Sequence, residues 1–134
     1  MTQRLVRRTE ALHNRRIQTS SQDTMLKKTM TPELLELVAE RFKALGEPAR
    51  LAILNSLRRG EATVSELVED TGMGQANVSK HLQLLHTLRF VARRKEGLFV
   101  YYSLADDSVF QLCDVMCGRI AQDSRERGRI VAGR

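Results

Sequence analysis

Between Thr63 and Leu88 the sequence reads TVSELVEDTGMGQANVSKHLQLLHTL, two helical patterns separated only by Gly72-Met73-Gly74. Thr63 is suited to cap the first, with Glu66 three residues on to complete a capping box, so that helix spans roughly residues 64–71. The second begins at Gln75. With Val78 as origin and the helical repeat as step, Leu82 and Leu85 fall beside it, and Leu84 and Leu88 lie on the flank. Ala76, Ser79, Lys80, Gln83 and Thr87 gather on the opposite side; none is bulky and most form hydrogen bonds. A short helix, a tight glycine-containing turn and a second helix with an apolar back and a polar front make a helix-turn-helix pattern, whose second helix enters a major groove. An amphipathic pair with a merely solvated outer face gives the same wheel, so the flanking segments must decide.

Upstream, Thr31-Pro32-Glu33 places a capping hydroxyl, a proline at the first helical position and an acid near the positive end of the dipole. Leu34, Leu37/Val38, Phe42 and Leu45 carry the apolar stripe to Gly46, which stops the helix. Another helix runs from Glu47-Pro48 through Leu51, Ile53/Leu54 and Leu57 to Gly60. Downstream, VARRKEGLFVYYSL is rich in β-branched and aromatic residues around Glu96-Gly97 and predicts a hairpin. Val100, Tyr102 and Leu104 alternate as its buried side, while Arg93, Arg94 and Lys95 crowd the tip. A basic hairpin directly after a helix-turn-helix is best explained as a wing lying beside phosphates. A final helix is expected from about Asp106, with the Arg-rich end after Asp123 fraying. The expected fold is mostly α with a β-hairpin wing, a winged helix-turn-helix.

A chain of 134 residues is most naturally one domain with a modest core. Its net charge of +6 is uneven: residues 1–30 hold seven Lys/Arg against two acids, the rest 15 against 14. That first segment is read as a basic, disordered tail, either a nucleic-acid-binding arm or simply solvated, and Met25 and Met30 offer alternative starts. The division expected is a tail over 1–30, a DNA-binding and dimerisation domain over 31–122 and an Arg-rich tail over 123–134. No apolar run is long enough to span a membrane and no secretory h-region is present, which points to a soluble, cytoplasmic protein. An enzyme is disfavoured, because His13, His81 and His86 have no paired carboxylates or nucleophile at useful spacing and no phosphate-cradling loop appears. A rival of another class is a winged-helix protein-interaction module that does not bind DNA. It calls for an acidic or apolar recognition face, and Lys80 with Arg93-Arg94-Lys95 argues against it.

The stretches LGEPARLAIL, TVSELVEDTGMGQANVSKHLQLL and GLFVYYSLAD, in this order, resemble the ArsR/SmtB family of winged-helix repressors over roughly residues 38–120. The resemblance implies a homodimer, paired through terminal helices, that binds double-stranded operator DNA of two-fold symmetry and represses transcription until an inducer binds. It places Gln75, Ala76, Asn77, Ser79, Lys80 and Gln83 toward base edges and phosphates, with Arg93, Arg94 and Lys95 on the neighbouring backbone. Gln75 suits adenine, and Lys80 suits guanine or a phosphate. Gly74 stands where such helices usually have a serine cap, a loss worth a few tenths of a kcal/mol. The family's metal sites are not matched. The arsenic-type cysteine positions correspond to Thr63 and Ser65, and the zinc-type positions to Asp106, Ser108, Arg119 and Gln122, of which only the aspartate remains.

Cys113 and Cys117 in VFQLCDVMCGRI are left over. On a wheel both thiols share an arc with Val109, Phe110, Met116 and Ile120, and two readings stay open. One is dimer core, since free cysteine packs as a small hydrophobe. The other is a thiol sensor: the i, i+4 spacing points both sulfurs one way, and a dimer axis would bring four together. Reduced intracellular thiols then make oxidation, or a soft ion such as Cu(I), available as a signal. Asp114 opposes this by disfavouring a thiolate. No resident cofactor or metal is expected.

Overall fold

The computed structural model describes residues 29–132, with side chains through residue 129, so the basic N-terminal segment up to residue 28 lies outside the described residues. The chain divides into a unit ending at Ala39 and a unit running from Glu40 to Arg134. In the first, Thr31 starts helix α1 (Pro32–Leu45): its Oγ1 accepts from the Leu34 amide at 3.2 Å and its carbonyl from Leu35 at 2.9 Å. The first contact satisfies one of the amides that a helix start leaves open, and the second is the first internal bond of the helix.

The second unit is a winged helix-turn-helix. After α1 come α2 (Pro48–Leu57), a two-residue strand β1 (Ala62–Thr63), α3 (Val64–Thr71), α4 (Gln75–Thr87), strands β2 (Val91–Glu96) and β3 (Phe99–Leu104), and α5 (Ser108–Ala132). The three strands form one antiparallel sheet in the order β1-β3-β2. Ile53, Leu54 and Leu57 of α2, Leu67 of α3 and Val78, Leu82 and Leu85 of α4 close over Ala62, Val91 and Val109 to make the core. Burying each leucine or isoleucine side chain is worth about 1.5–3 kcal/mol. Ser56 is buried with them and donates to Asp70 Oδ2 at 2.6 Å, tying α2 to α3.

Three local expectations are refined. Thr63 Oγ1 accepts from the Glu66 amide at 3.3 Å, but the Glu66 carboxylate makes no return bond, so only half of the capping box forms. The hairpin loop is Gly97-Leu98 rather than Glu96-Gly97, because Glu96 already pairs with Phe99. Gly97 has φ 60° at the first loop position, where a two-residue hairpin of the II′ kind needs a glycine. Finally, α5 does not end near residue 122 but continues to Ala132. Residues 123–132 contain no proline, Gln122 bonds Glu126 at 3.3 Å one turn on, and arginines near the C-terminus favour the negative end of the dipole.

Candidate nucleic-acid interface

The turn between α3 and α4 has three residues, and Gly72 makes it short. Its φ of 72° ends α3 in a left-handed cap, its amide donating to the Val68 carbonyl at 2.9 Å. Met73 packs against the core and Gly74 opens α4 without any side-chain cap. Val78, Leu82 and Leu85 are fully buried, so the roll of α4 about its axis is set by these three side chains. The consequence is that Gln75, Ala76, Asn77, Ser79, Lys80 and Gln83 are all exposed. His81 stands apart from them. It is half-buried, with Nδ1 3.4 Å from Arg50, whose guanidinium also donates to the Lys43 carbonyl at 3.2 Å and to the Ala44 carbonyl, capping the end of α1.

The wing brings the basic run close by, but strand alternation splits it. Val91, Arg93 and Lys95 share one face of β2 with their partners Leu104, Tyr102 and Val100, and Val91, Tyr102 and Leu104 on that face meet the helical core. Arg93 and Lys95 extend it outward, exposed and without an ion-pair partner among the described residues. Arg94 points to the other face, opposite Tyr101. There its Nε donates to Glu61 Oε2 at 2.8 Å, Nη2 reaches Glu61 Oε1, Nη1 reaches Glu96, and the guanidinium lies 4.5 Å over the Tyr101 ring. Those hydrogen bonds, Glu61's first, hold Arg94 protonated beyond its ordinary range. The same contact keeps the Glu61 carboxyl below the usual carboxylate range. Alternation thus divides the three basic residues beside the hairpin loop: two face outward with uncommitted charge, and the third is held by carboxylates. Glu61 and Tyr101 were not singled out from the sequence, since Glu61 meets Arg94 across 33 positions and no local pattern announces that pairing.

At the other end, among its described side chains α5 buries only Val109, with Phe110 half-buried beneath the Arg58 guanidinium at 4.3 Å. Further along, Leu112, Val115, Met116 and Ile120 are exposed; Cys113 is half-buried and Cys117 exposed, neither in a disulfide. Asp106 is occupied in the turn into this helix. Its Oδ1 accepts from the Ser108 amide at 2.8 Å, and that bond holds its carboxyl below the usual range. Among the described residues no three His, Cys, Asp or Glu side chains are grouped to hold a metal ion, and no helix is long and apolar enough to cross a membrane.

Comparison with known proteins gives the same architecture. Residues 47–93 match the family model described as bacterial regulatory protein, arsR family. The chain is 38% identical to the transcriptional repressor SmtB homolog of Synechocystis, over 60% of this chain and 65% of that protein. It spans a little under two thirds of the length of this and other curated relatives. Among solved structures, Rv0081 of Mycobacterium tuberculosis superposes with a TM-score of 0.64 at 34% identity, covering 73% of this chain and 98% of that one. The homodimeric winged helix-turn-helix DNA-binding domain Mb0332 of Mycobacterium bovis gives 0.58 at 35% identity, covering 71% and 87%. With relatives above 30% identity matched over nearly their whole length, and with the α3-turn-α4 unit and wing in place, the chain belongs to the ArsR family of bacterial regulatory proteins.

Proposed function

We propose that the protein is a sequence-specific transcriptional regulator that binds double-stranded operator DNA as a homodimer in the cytoplasm, represses, and is released by an inducer. The observation that carries the reading is the division of α4, with Val78, Leu82 and Leu85 fully buried behind and exposed Ala76, Ser79, Lys80 and Gln83 in front. A helix held so firmly from behind presents a rigid front, which direct readout of base edges requires. Gln75, Ala76, Asn77, Ser79, Lys80 and Gln83 are the residues assigned to the groove, and Arg93 and Lys95 to the backbone beside it. The repressor named among the relatives and the homodimeric DNA-binding domain among the neighbours support both parts. So does α5, whose exposed Leu112, Val115, Met116 and Ile120 form a surface suited to a second copy.

Fluorescence anisotropy on DNA from the gene's own upstream region tests this. Lys80→Ala is expected to cost about 1–3 kcal/mol of binding on the preferred site and much less on unrelated duplex. Equal binding by parent and variant would remove α4 from the interface, and a nearly flat salt dependence would favour a protein-interaction module instead. The same assay carries the inducer question. Release by peroxide or Cu(I), abolished by Cys113→Ser/Cys117→Ser, would make the α5 thiols the sensor, whereas equal binding in every condition would leave them as dimer core.

A further inference from the structure

We infer that Arg94 is a positioning residue for the wing rather than a DNA contact, and that with Glu61, Glu96 and Tyr101 it forms a clamp holding the hairpin against the helix-turn-helix. This rests on the DNA-binding reading above. The sheet order β1-β3-β2 puts Arg94 on one outer strand and Glu61 just before the other, with Tyr101 on the strand between them. The guanidinium crosses the whole width of the sheet. It lies on the Tyr101 ring at 4.5 Å and engages both oxygens of Glu61, with Glu96 taking its remaining arm. An isolated exposed ion pair contributes little, but a bidentate pair that also shares a second carboxylate and an aromatic face is geometrically specific.

The anchor at the far end is what gives the clamp a function. Glu61 adjoins β1, and within β1 Thr63 both pairs with Tyr101 and caps α3. Fixing Arg94 on Glu61 therefore fixes the wing relative to the first helix of the helix-turn-helix. Arg93 and Lys95, on the opposite face of β2, are then held where their charges meet the backbone. A guanidinium already facing two carboxylates has little charge left for a phosphate, and to make that contact it would leave an uncompensated acid beside the DNA.

The test is the salt dependence of binding to a mixed-sequence 30-bp duplex for the full chain, with variants Glu61→Gln, Arg94→Met and Arg93→Ala. Glu61→Gln is the decisive arm. It removes a negative charge, so charge alone predicts tighter binding, whereas loss of the clamp predicts about threefold weaker binding. Arg94→Met should weaken binding with the slope of log K against log salt unchanged, and Arg93→Ala should lower that slope by about one. Tighter binding by Glu61→Gln, or a slope reduced by about one in Arg94→Met, would make Arg94 a phosphate contact and overturn the inference. Hydrogen exchange of the Tyr101–Ser103 amides in free protein separates this from failure of the DNA-binding reading. If the parent does not bind the duplex, the function proposed above falls. Faster exchange in both single variants would still support the clamp, and unchanged exchange would overturn it.

Discussion

Arg89 carries the one backbone cost visible among the described non-glycine residues. It joins α4 to β2 with φ 64°, its amide donating to the His86 carbonyl at 3.0 Å. An L side chain in that region loses about 1–2 kcal/mol, while glycine there loses more chain entropy on folding, about 0.5–1 kcal/mol. Arg89→Gly is therefore expected to stabilise the fold by about 0.5 kcal/mol, seen as a higher urea midpoint with an unchanged m-value; a lower midpoint would mean that the arginine side chain holds the turn. At this scale the sequence was only partly legible. The polar front of α4 and its buried Val78, Leu82 and Leu85 follow from the wheel alone. The fate of Arg94 does not, because its partner is set by strand order rather than by sequence spacing.

The elements obey local chemistry, and their ends show it best. Thr31, Thr63 and Gly72 sit where capping requires them, and α3 runs over the residues read from its pattern. Thr63 also connects two elements, since the residue that caps α3 pairs with Tyr101 of the wing. Thr63→Ala should cost about 1 kcal/mol from the lost cap, measured by chemical denaturation. Thr63→Ser keeps the acceptor and should recover most of it; if it does not, the methyl group rather than the cap is the source. The elements misjudged from the sequence were those lacking a local signal of their own. Two residues are too few for β1 to show a period, and the polar turns of α5 beyond residue 122 show no apolar stripe although the helix continues.

For the molecule as a whole, Leu112, Val115, Met116 and Ile120 of α5 are exposed apolar side chains, and the proposed second copy is what would cover them. Met116→Glu/Ile120→Glu should convert a sedimenting dimer to a monomer and abolish the dependence of Tm on protein concentration. A parent chain that is monomeric at tens of micromolar would remove the dimer from the proposal. A variant still dimeric would move the contact away from this part of α5.

The pattern along the chain was sufficient for the helix-turn-helix, the hairpin and the inward and outward faces of α4, because helical and strand periodicities depend on neighbours a few residues apart. Which of three adjacent basic residues keeps an uncommitted charge was a different kind of question. Alternation along β2 sent Arg93 and Lys95 one way and Arg94 the other, and the order β1-β3-β2 then laid Glu61 within reach of a guanidinium 33 positions away. Ion pairing depends on distance in space, and that distance exists only once the sheet has formed.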